Sequence, residues 1–308
     1  MNDLDKQIAK GIRKTITWYD MFDFPLTLME LWRFGLYDAA CELTSVDNTL
    51  SLMQSDINHS HGFYYLKGRE AIIKTRQFRY SYADIKVKKT LKISKLFRWI
   101  PWIKFIAIVN IYGSDNLKSS SDIDLFIITA QGRIWLSRLF TVGLIKLLNL
   151  RPTKNNKQDK FCLSFFIAEN DLNLTRVRIK NDLYFSYLAH LIPVYDRGGY
   201  LDKLYCDNSW LKLDMPNFSH DQIHGRRQVR SYFGDNFLKF KTVFFDILEA
   251  VVKKIQLRIL PSAISNLMNV DTRVVINDSI LKLHTNDSRQ QLIELYEKKY
   301  HDLFGKIE

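Results

Sequence analysis

The stretch "IKFIAIVNIYGSDNLKSSSDIDLFIIT", residues 103–129, decides the fold. Two runs of almost unbroken aliphatic and aromatic residues, 103–109 and 123–129, enclose a polar segment with a Gly-Ser pair and four serines. Apolar runs of that length without alternation predict strands covered on both faces, as in an α/β domain. Residues two apart in a strand share a face, so Asp122 and Asp124 point together while Ile123 and Leu125 point into the core. Two adjacent carboxylates repel unless a cation lies between them. Mg²⁺ suits that place, held by paired carboxylates and by phosphate oxygens. The competing reading is a polar turn. It is the weaker one because the pair opens a buried strand directly after a Ser-rich loop.

Working outward, "YSYADIKVKKTLKISKLFRWIP" (80–101) predicts a connecting helix, stopped by Pro101, with Lys86, Lys88, Lys89, Lys92, Lys95 and Arg98 on a solvated face or as a basic wall beside an anionic groove. "RIWLSRLFTVGLIKLLNL" (133–150) predicts a crossing helix and "KFCLSFFIA" (160–168) a third strand. "DLYFSYLAHLIPVYD" (182–196) predicts a helix running into a short strand at Pro193–Tyr195. Residues 79–200 thus form one α/β unit with helices on a mixed sheet.

Residues 1–78 read as a smaller unit. Ile8, Ile12, Ile16 and Tyr19 recur at helical spacing. Thr27 and Glu30 form a capping box, with Leu26 and Leu31 as its hydrophobic staple, so a second helix begins at Leu28. "TSVDNTLSLMQSDI" (44–57) supplies a third helix, and "HGFYYLKGREAII" (61–73) alternates about Lys67-Gly68 as a hairpin. Three helices and a two-stranded wing resemble the winged-helix fold, which implies either DNA reading through the third helix or a packing and partner-binding role. Residues 201–308 read as helical. "FLKFKTVFFDILEAVVKKIQLRIL" (237–260) and "DSRQQLIELYEKKYHDLF" (287–304) are the clearest segments, the latter burying Leu292, Leu295 and Tyr296.

The order strand, Gly-Ser, polar loop, Asp-x-Asp strand resembles the nucleotidyltransferase superfamily typified by DNA polymerase beta. The likeness covers about residues 100–196, with "SDIDLFII" its most specific part. In element order it also looks like uncharacterised bacterial proteins that place a winged helix before such a domain. The resemblance implies an α/β (α+β) nucleotidyltransferase fold and Mg²⁺-dependent transfer of a nucleotide monophosphate from a nucleoside triphosphate, ATP first among them, to an acceptor hydroxyl. Asp122 and Asp124 are then metal ligands and catalytic groups. Asn110, Gly113, Ser114 and Ser121 are the expected phosphate contacts.

Two departures from the family pattern stand out. Gly113-Ser114 lies closer to Asp122 than the family spacing, so either the loop is short or Asn110-Ile111 occupies the motif position; the second option restores the usual length. The third carboxylate expected on the following strand is missing. Cys162, Ser164 and Phe166 share the relevant face, Asp159 precedes the strand and Glu169 follows it, and Ser164 best matches the vacant position. A serine is a poor base at neutral pH, so the same fold is also compatible with a catalytically degenerate nucleotide-sensing or DNA-binding regulator.

Other candidates have plainer readings. His59 and His61 sit in a polar turn without a companion acid or cysteine. His190 reads as a satisfied core histidine. Arg133 and Arg138 reach toward phosphates or start a helix, and Tyr195 with Asp196 edges a base pocket or ends a strand.

Composition bounds these readings. The 308 residues are 46% hydrophobic and 13% aromatic with only 12 Gly and 6 Pro, which leaves no room for a long low-complexity tract. Cys41, Cys162 and Cys206 stand far apart and spell no disulfide framework, which fits a reducing cytoplasm. "MNDLDKQIAKG" lacks the apolar segment of a secretory leader. Arg98, Lys104, Arg138 and Lys146 interrupt the most apolar stretches, so no membrane partner is expected. The net charge of +12 suits a polyanionic partner, either the triphosphate or nucleic acid held by the N-terminal unit.

Overall fold

The computed structural model of the chain describes residues 2–153, 155–179, 188–220, 225–231 and 243–305. Helix α1 (Asp3–Asp20) starts at a capping box between Asn2 and Asp5 and buries the predicted stripe Ile8, Ile12, Ile16 and Tyr19. Helix α2 (Leu28–Arg33) starts where its sequence requires: Thr27 N donates to Glu30 Oε2 at 2.9 Å and Glu30 N donates to Thr27 Oγ1 at 3.3 Å. The staple residues Leu26 and Leu31 are buried. Glu30 also receives both arms of the Arg76 guanidinium, at 2.7 and 2.8 Å, which ties α2 to the long helix that follows.

Helix α3 (Leu43–Ser51) leads into a two-stranded antiparallel sheet of β1 (Ile57–Ser60) and β2 (Phe63–Leu66). The hairpin turns at His61-Gly62 and not at the predicted Lys67-Gly68. His61 at φ 53° and Gly62 at φ 78° supply the two positive φ angles that a tight two-residue turn requires, and Gly62 meets the second at no steric cost. Helix α4 (Ile72–Phe97) then runs for 26 residues to the central sheet.

That sheet has six strands in the order β6-β3-β4-β5-β8-β7 and is mixed. Strand β3 (Ile103–Val109) pairs antiparallel with β4 (Ile123–Thr129) and with β6 (Ile192–Asp196). Strand β5 (Phe161–Ala168) runs parallel to β4, the crossover being α5 (Ile134–Leu147). The helix expected before β6 falls largely on residues 180–187, outside the described residues.

Beyond β6 come α6 (Tyr200–Asp207), α7 (Leu211–Asp214), α8 (Val243–Arg258) and α9 (Ser262–Ser265). The chain then adds β7 (Val274–Ile276) and β8 (Ile280–Leu283) to the sheet, antiparallel to each other and with β8 against β5. The reading of 201–308 as helical is corrected here. Asn277 Oδ1 accepts from Ser279 N and Ile280 N at 2.8 and 2.7 Å, a side-chain turn that closes a hairpin of strands too short for periodicity to reveal. Helix α10 (Arg289–Phe304) closes the described chain. Its inner face is Arg289, Ile293, Tyr296 and Tyr300; Tyr296 is buried as expected, whereas Leu292 is half-buried and Leu295, expected in the buried stripe, is 57% exposed.

Both sheet faces are covered, as the apolar runs demanded. Phe105, Val109, Phe126, Ile128 and Phe165 share one core with Trp18 and Tyr19 of α1, Leu204 of α6 and Tyr296 of α10. Ile106, Ile108, Ile123, Leu125 and Phe166 share the other with Val87 and Phe97 of α4, Trp135 of α5 and Val252 of α8. Among the described residues no helix is long and apolar enough to cross a membrane.

Candidate functional site

Strand β4 is buried along its length except at Asp124. The antiparallel register sets Asp124 opposite Val109, the last residue of β3, and the parallel register sets it opposite Cys162 of β5. Asp122 precedes the strand on the same side. One ligand atom each from Asp122, Asp124 and Cys162 lies within 4.8 Å of the other two, and all three residues are half-buried. The structure therefore brings Cys162, and not Ser164, level with the dyad. A register shift between Cys162 and Phe165 carries Ser164 onward, where its Oγ lies 3.4 Å from Cys162 Sγ and 3.2 Å from His284 Nε2.

Asn110 follows Val109 in the left-handed region, at φ 62°. Asparagine tolerates that region better than most residues. The twist aims its amide at the dyad, and Asn110 Nδ2 donates to Asp124 Oδ2 at 3.0 Å. Burial first and the neighbouring Asp122 charge second push the Asp124 carboxyl up to about 6; Asn110 and Cys162 pull weakly the other way. Burial, then Asp124, pushes the Cys162 thiol well above its ordinary range.

The other expected phosphate contacts lie elsewhere in the loop. Gly113, at φ 93°, is pressed against the Phe24 ring, where a Cβ would come within 2.6 Å of three ring carbons. Ser114 is exposed and lines a separate cavity of about 230 Å³ with Arg33, Asp115, His190 and Arg227. Ser121 contributes its backbone: its carbonyl accepts from Lys86 Nζ at 2.5 Å, while its hydroxyl donates to Lys118 O at 3.0 Å.

Lys88, Lys89, Lys92 and Lys95 are exposed on α4, as the solvated-face reading expects, and Lys86 is the exception. Its side chain is fully buried, and its ammonium reaches Asp159 at 3.2 Å as well as Ser121. Burial lowers its pKa and Asp159 holds it up, with Asp122 adding to the attraction. A buried ammonium paired with Asp159 thus stands behind the dyad. A second group missed by sequence reasoning comes from the C-terminal region. Lys282, His284, Asp287 and Arg289 line a narrow cleft with Asn110 and Phe165. Asp287 bridges the two cations, at 3.6 Å from Lys282 and 2.6 Å from Arg289, and burial followed by the Lys282 charge pushes His284 down to about 4. Their spacing in "LKLHTNDSR" is the only sequence signal, and it is silent without the β8 pairing.

The plainer candidates are accounted for by structure. Arg133 pairs with Asp246 at 2.7 Å, and Arg138 donates to Gln256, so both fasten α5 to α8. Asp196 caps α6 by accepting from Tyr200 N and Leu201 N. Glu169 lies at the other end of β5, where it accepts from Tyr200. His59 stacks on Tyr64, and buried His190 bonds Tyr19 Oη through Nε2 at 2.7 Å. No protein-family model, no curated protein and no solved structure matches the chain, and its activity has to be argued from these residues.

Proposed function

We infer that the chain is a divalent-cation-dependent nucleotidyltransferase of the DNA polymerase beta type, with Mg²⁺ and a nucleoside triphosphate as its first expected partners. The observation that carries this reading is the convergence of Asp122 and Asp124 at the head of a buried strand, where the neutral amide of Asn110 donates to Asp124. Two half-buried carboxylates so placed fit a cation, since an ionised Asp124 is otherwise a net cost to the fold. Further support comes from the order of β3, polar loop, β4 and β5, with β5 beside the dyad, and from the three helices and hairpin that precede them as in a winged helix.

When bound, divalent ions neutralise the triphosphate and lower the pKa of the attacking hydroxyl. Asp122 and Asp124 hold that charge, Asn110 fixes the Asp124 rotamer, and Lys86 pins the Ser121 carbonyl so that the loop meets β4 at a fixed angle. In the transfer the acceptor oxygen bonds the α-phosphorus, pyrophosphate leaves, and the hydroxyl proton passes to water, because β5 offers the dyad a thiol and a hydroxyl where an acid would serve as base.

A second reading rests on that same missing acid: a nucleotide-sensing regulator whose chemistry has been lost. Its DNA-binding form is disfavoured by α3, which carries Asp47 and no Lys or Arg. Calorimetric titration of ATP and the other triphosphates with and without Mg²⁺, on wild type and Asp124→Ala, tests the site. Binding that needs both the metal and Asp124 is the expected result, and binding indifferent to Asp124 refutes it. Metal- and Asp124-dependent binding without pyrophosphate release from any acceptor pool selects the regulator.

A further inference from the structure

Taking Asp122 and Asp124 as cation ligands, as proposed for the function, we propose that Cys162 is the third ligand and that the site therefore selects a thiophilic divalent ion of the Zn²⁺ class over Mg²⁺. Mg²⁺ asks for oxygen donors in near-octahedral array, whereas thiolate sulfur favours Zn²⁺ and its neighbours. Tetrahedral Zn²⁺ takes bonds of about 2.3 Å to sulfur and about 2.0–2.2 Å to carboxylate oxygen. The three donor atoms already lie within 4.8 Å of one another, so small side-chain rotations close the set. Three protein ligands leave the fourth position open, which is the arrangement of catalytic zinc sites and here the place for a phosphate oxygen or water.

A thiol used only as a small apolar filler belongs among apolar neighbours, and Cys162 faces two carboxylates instead. The thiol is also oriented from behind. Ser164 Oγ stands 3.4 Å from Sγ and 3.2 Å from His284 Nε2, a hydrogen-bonded relay of the kind that fixes metal ligands. Binding replaces the Sγ proton, which leaves to solvent. Two carboxylates and a thiolate around a dication then carry one net negative charge, and the buried Lys86 ammonium, whose field reaches both Asp122 and Asp124, offsets it.

The test uses the full chain, reduced and freed of metal, with Co²⁺ as the spectroscopic probe and Zn²⁺ and Mg²⁺ as competitors. The expected result is a near-ultraviolet thiolate-to-cobalt charge-transfer band that saturates at one ion per chain and is displaced by Zn²⁺ far more readily than by Mg²⁺. Cys162→Ser removes the band and weakens Zn²⁺ on the order of 100-fold, at or beyond the losses seen for supporting groups alone, while Mg²⁺ affinity changes little. Cys162→Asp restores an all-oxygen set and shifts the preference toward Mg²⁺, a gain that a merely misfolded variant does not give. Co²⁺ bound without a charge-transfer band, in protein whose Mg²⁺-triphosphate binding still needs Asp124, overturns the role of Cys162 and leaves the nucleotidyltransferase reading standing. Failure of the wild type to bind any divalent ion overturns both.

Discussion

Replacing Asp124 by Asn is expected to stabilise the cation-free protein and to remove its response to cations. The Asp124 carboxyl is raised from the ordinary 3.8 to about 6. At about 1.4 kcal/mol per unit, keeping it ionised in the fold costs about 3 kcal/mol at pH 8. The sign follows from proton counts. Between 3.8 and 6 the folded state holds the proton that the unfolded state has lost, so stability falls as pH rises through this window and stays at its lower level above it. Asparagine carries no charge, and its carbonyl oxygen still accepts from Asn110. Asp124→Asn should therefore raise stability by about 2–3 kcal/mol at pH 8, or roughly 3–5 °C in Tm for a chain of this size. Near pH 5 the gain should be about half as large. Calorimetry in chelator at the two pH values reads both. A saturating cation at 100 times its Kd adds about 2.7 kcal/mol to the wild type and nothing to the variant, so the difference between the two closes. A variant that is less stable than wild type at pH 8 without cations, or a difference independent of pH, refutes the electrostatic account of the dyad.

Lys86→Met keeps the buried stem but strips the donor from Ser121 O and one partner from Asp159, and should lower the urea unfolding free energy by about 2–4 kcal/mol. Gly113→Ala forces a Cβ into the Phe24 ring at positive φ and should cost about 2 kcal/mol or more by thermal melting. Burial first and Arg76 second push His190 from 6.5 down to about 3, so its contribution is whole above pH 6.5 and is lost as pH falls toward 3. His190→Gln should flatten the acid side of the urea-derived stability profile by about 1.4 kcal/mol per pH unit. Arg79→Ala removes donors to Phe22 O, Asn116 Oδ1 and Asp23, and should weaken triphosphate binding in the folded fraction as well as lower Tm; unchanged affinity in calorimetry shows that the loop holds its shape without it.

The strands that carry the dyad were legible because seven-residue runs with six and five apolar members have few other uses, and the shared face of Asp122 and Asp124 follows from pleat geometry alone. Which residue of β5 stands level with them was not. Cys162 and Ser164 both lie on the right face, and only the parallel register and the local shift choose Cys162. Lys86 was hidden for a different reason. Its neighbours in sequence are other lysines on a helix, and the groups that make its burial tolerable, Ser121 O and Asp159, are distant in the chain. The β7–β8 hairpin escaped notice because three- and four-residue strands hold too few positions for a period to show.

The loop between β3 and β4 shows why the N-terminal helices belong to any account of the site. Tyr112 stacks on Phe22 at 4.0 Å and meets Trp18 edge-on, Gly113 lies against Phe24, and Asn116 donates to Phe22 O while accepting from Arg79. Each contact anchors a residue within six positions of Asn110 to α1, to the α1–α2 connection or to α4. Asn110 in turn holds a backbone angle that most residues disfavour, and it keeps that angle because Val109 is fixed in the sheet on one side and Tyr112 in this aromatic cluster on the other. The three-helix unit is therefore packed against the loop that carries Asn110 to the dyad. The route is physical and short: from Phe22 through Tyr112 to Asn110 Nδ2, and from there to one carboxylate oxygen.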